Sequence, residues 1–179
     1  MKKHILLPAI ASTMFLISSC ENKAVKVSET ASEQTTDAET AKKEVVALMD
    51  NLHNSLKNKK PQDFKNLLDI NGLYCGTDPT EIYNRENYAS QMEATLSDPN
   101  LGTVAYTVDT REVRVDENGE AATILEQYKV DLFSPEIPWR LVTHAIKKDG
   151  SWKIDFMSFS LVPTNQQQER INDALQTKE

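Results

Sequence analysis

Three features of the chain predict an α+β fold with helices packed on one face of a bent antiparallel sheet. Helical apolar spacing is confined to the first half of the globular part, two-residue alternation to the second half, and hairpin turn signals separate the alternating runs. Thr36-Asp37-Ala38-Glu39 fits a capping box, and Val45, Leu48, Met49, Leu52 and Leu56 recur at spacings of three and four, which predicts a first helix with one stripe turned to a core. Pro61 suits the first turn of a second, short helix carrying Phe64, Leu67 and Leu68. Asn84 caps a third, in which Tyr88, Met92 and Leu96 repeat every four residues. The period then changes. Residues 104–115, 121–133, 139–147 and 152–161 read as strands, separated by Asn118-Gly119, Ser134-Pro135 and Asp149-Gly150. Residues 164–179 are polar, and Ile171 with Leu175 allow a short closing helix at most.

The 179 residues carry 20 Lys plus Arg against 27 Asp plus Glu, a formal charge of −7. An acidic balance gives no general attraction for nucleic acid, so no nucleic-acid partner is expected. Met1 to His4 make a basic start, and residues 5–17 form a short apolar run broken by Pro8, Ser12 and Thr13, which reads as an export signal too short to span a bilayer. The four residues that follow, Ile17-Ser18-Ser19-Cys20, resemble a bacterial lipobox. The resemblance implies cleavage after residue 19, acyl chains on Cys20, and an address in the bacterial cell envelope on the periplasmic or outer-membrane side. Two or three acyl chains hold a protein on a membrane stably where one does not. Residues 21–37, with no leucine or bulky aromatic, read as a tether spanning about 20–25 Å if flexible. The expected organisation is therefore a signal over 1–19, lipidated Cys20 and a tether over 20–37, the domain over 38–163 and a polar tail over 164–179.

Further motifs carry a family resemblance. Gly76-Thr77-Asp78-Pro79-Thr80-Glu81-Ile82-Tyr83 precedes the third helix, Val113-Arg114-Val115-Asp116 precedes a tight turn, and Asp149-Gly150-Ser151-Trp152-Lys153-Ile154 opens the last strand. In that order and spacing, over residues 40–163, they resemble the SnoaL-like group of the NTF2-like superfamily. The resemblance implies a cone of three helices wrapped by a strongly curved sheet, a pocket inside, and dimerisation through the sheet. Relatives include isomerases, dehydratases, cyclases and epoxide hydrolases, and also non-catalytic binding domains. In many of them the last strand carries a histidine facing the pocket, where this chain has Ser158.

A two-residue Asp149-Gly150 turn makes facing positions sum to 299, so that Trp152, Ile154, Phe156 and Ser158 share the concave face with Lys147, Ala145, Thr143, Leu141 and Trp139. The expected ligand-binding set is Tyr74, Tyr83, Trp139, Thr143, Trp152, Phe156 and Ser158. The same register sets His144 beside Asp155 on the convex face as a structural pair, with Val142, Met157 and Phe159 as a dimer surface. Asp78, Glu81 and Glu126 are the candidate carboxylates for acid–base work. Each also has a local explanation: Asp78 caps a turn, Glu81 reaches back to the capping amide, and Glu126 faces Arg111 while Tyr128 faces Asp109. Cys75 has no basic neighbour in sequence and reads as an inert thiol. With His53 and His144 as the histidines after cleavage, no metal cluster and no cofactor are expected, and neither a nucleophile elbow nor a phosphate-binding loop is present. Two readings stay open: a membrane-tethered module binding a small, largely apolar molecule or a partner protein without catalysis, or a proton-transfer enzyme using a pocket carboxylate.

Overall fold

In a computed structural model, residues 28–176 are described, with side chains from Asp37 onward; the signal segment and Cys20 lie outside the described residues. The elements run α1 (Ser28–Lys57), α2 (Pro61–Leu67), β1 (Leu68–Cys75), β2 (Ile82–Tyr83), α3 (Arg85–Ser97), β3 (Val108–Val115), β4 (Ala121–Val130), β5 (Ser134–Lys148), β6 (Ser151–Leu161) and α4 (Asn165–Gln176). The strands form one sheet in the order β2-β1-β6-β5-β4-β3, antiparallel except for the β1–β6 pair. The fold class is the α+β arrangement expected.

Helix α1 starts at Ser28, ahead of the expected Thr36 box, so residues 28–37 are helical where a tether is predicted. That stretch lacks Gly and Pro, so no residue in it breaks the helix, although Ser, Thr and Asp fill six of its ten positions. Downstream, α1 buries Ala41, Val45, Leu48, Met49 and Leu52. Pro61 opens α2, and the Asn84 side chain accepts from the Asn87 amide at 2.9 Å to cap α3. Every buried residue among those described lies between Ala41 and Met157.

The Asp149-Gly150 turn has positive φ at both residues, 50° and 74°, the mirror-image turn whose twist suits a hairpin. Next to it the register matches expectation, with Trp152 opposite Lys147 and Ile154 opposite Ala145. An irregularity then shifts the pairing by one residue, so His144 faces Phe156 and Thr143 faces Met157. One extra residue, Asp155, reverses the side of everything after it. Met157 is fully buried on the concave side and Phe159 follows it inward, whereas Phe156 and Ser158 turn to the convex side. The expected convex strip therefore keeps Val142 and loses Met157 and Phe159. A second irregularity, between Val108 and Thr110, puts Tyr128 opposite Val108 instead of Asp109, while Glu126 faces Arg111 as expected. Strand β3 begins at Val108 rather than 104, and the turn before β5 lies at residues 131–133, with Ser134 already paired to Val130.

Candidate functional site

A cavity of about 230 Å³ opens between the helices and the concave face of the sheet. Leu56, Phe64, Tyr88 and Met92 line it from α1, α2 and α3; Tyr128, Trp139 and Phe159 line it from β4, β5 and β6. The loop residues Gly76, Thr77 and Glu81 also border it. The rings of the wall and its backing stack: Tyr88 of α3 lies 5.2 Å from Tyr74 of β1 and 5.9 Å from Tyr83 of β2, and Tyr106 lies 4.9 Å from Tyr128 of β4.

Of the expected ligand-binding set, Tyr83 and Trp139 line this cavity. Tyr74 is fully buried, its one hydroxyl proton shared between the carbonyls of Asp69 (2.9 Å) and Ile154 (2.8 Å). Trp152 donates its indole N–H to Glu44 at 2.8 Å, an acceptor it shares with Lys147 Nζ at 2.7 Å. Thr143 is fully buried with no partner for its hydroxyl. Phe156 and Ser158 sit on the other side of the sheet because of the bulge.

The three candidate carboxylates are all engaged. Asp78 Oδ1 accepts from the Thr80 hydroxyl (2.6 Å) and amide (2.8 Å), which hold its carboxyl below the ordinary range. Glu81 Oε2 accepts from the amides of Thr77 (2.9 Å) and Asp78 (3.0 Å), the back-reaching contact expected. Gly76 makes room for it, since a Cβ there would run into the Glu81 carboxylate. Glu126 is fully buried, taking Arg111 Nε at 2.5 Å on one oxygen and His53 Nε2 at 2.7 Å on the other.

The residue that sequence reasoning passed over is His53. From α1 it bridges Glu126 and, through Nδ1 at 2.8 Å, the Tyr106 hydroxyl; Arg111 continues the chain to Asp50 at 2.7 Å. A carboxylate only accepts, so Nε2 donates to Glu126, while Nδ1 meets the Tyr106 hydroxyl. His53 also borders an outer polar recess with Asp50, Asn54, Lys57, Val108 and Arg111. A signal existed, because His53 lies four residues after Met49 and three before Leu56, within the buried stripe of α1. His144 meets Asp155 at 2.7 Å with both side chains partly exposed, and Cys75 is a half-buried free thiol.

A six-stranded curved sheet closed over helices, with an apolar cavity at its concave face, defines the class of the NTF2-like cone. Residues 45–165 match the SnoaL-like domain, and the chain belongs to that family. Among solved structures it is similar to an NTF2-like protein of unknown function from Pseudomonas putida KT2440, at 11% identity over 73% of this chain and 92% of that one, with a TM-score of 0.61. It is also similar to an NTF2-like protein from Cytophaga hutchinsonii ATCC 33406, at 15% identity over 66% and 95%, TM-score 0.54. A ketosteroid isomerase candidate from Parabacteroides distasonis ATCC 8503 aligns at 17% identity over 66% and 85%, TM-score 0.54. At these identities the likeness is one of fold. No functionally curated protein matches the sequence.

Proposed function

We propose that this protein is a lipid-anchored SnoaL-like module of the bacterial cell envelope that binds a small, largely apolar molecule in its cavity without chemically changing it. One observation carries the reading: the cavity is apolar and aromatic, while each candidate base is committed elsewhere, Asp78 and Glu81 to their own turn and Glu126 to Arg111 and His53. Fold by itself leaves function open, so the argument rests on the site. A dry apolar space of 150 Å³ accepts benzene, so 230 Å³ suits one or two fused rings. Anchoring rests on the lipobox at Cys20, and Cys20→Ser should move the protein from the membrane fraction to the soluble one.

The first test is native mass spectrometry of the soluble chain from residue 21 onward, isolated gently from its host. A retained mass of a few hundred daltons at one per chain supports binding. A preparation that remains empty after exposure to host extracts, or that converts a bound molecule, overturns it. The same spectrum reads oligomeric state. We further propose a homodimer through the convex face, where Leu73 (47% exposed) and Ile82 (64% exposed) join half-buried Phe156 and Val142. The enzyme reading is favoured by one observation, the Tyr106–His53–Glu126 chain, because Tyr106 also lines the cavity. That reading expects turnover which His53→Ala abolishes.

A further inference from the structure

Resting on the lipid-anchored reading above, the length of α1 decides how the domain stands on its membrane. The two ends of the sheet lie at opposite ends of this helix. Near its start it passes the turn between β3 and β4, where a Cβ on Gly119 would lie 3.7 Å from Ala41 Cβ and 3.9 Å from the Asp37 carbonyl oxygen. About one turn further on, Glu44 accepts from Lys147 and Trp152 beside the β5–β6 turn. The last turn of α1 and the residues after it meet the other end of the sheet. Lys57 Nζ lies 4.5 Å from the centroid of the Tyr106 ring, and Lys59 Nζ donates to the Leu101 carbonyl at 2.5 Å. Tyr106 and Leu101 line the cavity, and its exposed lining residues are Thr77, Gln91 and Phe133. Phe133 belongs to the turn between β4 and β5, at the end of β4 remote from Gly119. The cavity mouth is thus at the far end of α1 from Ser28.

Reach then limits the poses available. At 1.5 Å per residue the mouth stands about 40 Å from Ser28 along the helix axis. Eight residues carry the chain from Cys20 to Ser28, and fully extended they span about 28 Å. A domain inverted with its mouth on the bilayer would hold Ser28 about 40 Å above the surface, beyond the reach of that link in any conformation. Charge opposes lying flat. After cleavage the chain keeps all 27 Asp and Glu and loses Lys2 and Lys3, so anionic headgroups repel it. Lys147 and Lys148, beside the β5–β6 turn, are already paired with Glu44 and Asp69.

We infer that the anchored domain stands with its β3–β4 and β5–β6 turns toward the membrane and its cavity mouth away from it, so that a ligand enters from the aqueous side and not out of the leaflet that holds the anchor. The exposed Leu132, Phe133 and Leu161 at that far end are accordingly not a surface for bilayer insertion.

Resonance energy transfer on the lipidated full chain tests this. The protein is extracted from its host in detergent and added to preformed phosphatidylethanolamine–phosphatidylglycerol vesicles carrying a rhodamine-labelled lipid. A donor dye sits on one cysteine, introduced as Ser28→Cys, Asn118→Cys or Leu132→Cys, with Cys75→Ser removing the other thiol. Asn118 and Leu132 are both exposed, so the dye leaves the core intact. Transfer is expected to fall in the order 28, 118, 132, since position 118 lies about 15–20 Å and position 132 about 40 Å from Ser28 along α1. Transfer from position 132 equal to or greater than that from 118 overturns the inference and leaves the anchored reading standing. A mass showing no acyl chain on Cys20 removes the anchored reading and this inference with it.

Discussion

His53 occupies a place that the apolar stripe of α1 would give to a hydrophobe, and its burial is tolerable because both ring nitrogens are used. The partners are interdependent. Taking away Glu126 leaves the Arg111 guanidinium without its buried acceptor and the His53 N–H unpaired, a change that costs several kcal/mol in comparable buried pairs. Glu126→Ala is therefore expected to lower unfolding free energy by about 3–5 kcal/mol in a urea titration. A variant equal to wild type would mean that water reaches the pair. Thr143 presents the opposite case. Its hydroxyl is fully buried without a partner, so Thr143→Val, which keeps the branched shape, should raise stability by about 1 kcal/mol in the same titration. Asp69 sets a pH dependence. Burial pushes its carboxyl up, and hydrogen bonds from Lys148 Nζ at 2.6 Å and the Asn71 amide at 2.9 Å more than offset this, leaving it below the ordinary carboxylate range. A depressed folded value means the contribution is fully present above the unfolded value of about 3.9 and is lost as the pH falls through the folded one. Asp69→Asn should flatten that part of an acid-unfolding curve, and an unchanged slope would assign the loss to other carboxylates.

Among the elements, β6 shows how much one residue controls. With the pairing set by the turn alone, Phe156 and Ser158 would line the cavity and Met157 with Phe159 would form the outer strip; the bulge at Asp155 exchanges them. Deleting Asp155 removes the extra residue and leaves Phe156 opposite His144 and Met157 opposite Thr143, so the buried set is unchanged. The expected outcome is a cooperative melt that is kept, with the loss confined to the 2.7 Å contact from Asp155 to His144. Loss of the cooperative melt would show that the bend made by the bulge is itself required. The serine that stands where many relatives carry a histidine is thus outside the cavity altogether, and its chemistry has no bearing on a bound ligand. Helix α3 depends on a local device instead: Asn84→Ala removes the bond to the Asn87 amide and should cost about 1 kcal/mol by thermal melting.

At the scale of the molecule, the cavity and the convex face are the two proposed binding surfaces. A ligand that enters the cavity binds the folded state alone, so a bound ring compound at a hundredfold excess over its dissociation constant should add about 2.7 kcal/mol to unfolding free energy. A matching absence of stabilisation by any ring compound would count against a binding module. For the convex face, Ile82→Asp places a charge among Leu73, Phe156 and Val142, and sedimentation should then report a monomer in place of a dimer. Among the described residues no helix is long and apolar enough to cross a membrane.

Local chemistry, read from the chain alone, determined the helices at Pro61 and Asn84, the hairpin at Asp149-Gly150, the Asp78–Glu81 turn and the pairing of Glu126 with Arg111, because each depends on residues adjacent in sequence or on a register counted from a nearby turn. It also carried the family, since the motifs keep their order and spacing over most of the chain. Tertiary structure alone decided what lines the cavity. Bulges at Asp155 and Asp109 are not announced by any residue type there, yet each turns the following side chains to the other face. His53 reaches Glu126 across 73 positions and Tyr106 across 53, so no local spacing relates them. The extra helical length before Thr36 was not legible either, because Ser, Thr and Asp dominate residues 28–37 and are weak helix formers. Side-chain periodicity tells which residues alternate, and only packing of the whole sheet tells which of the two alternations faces inward.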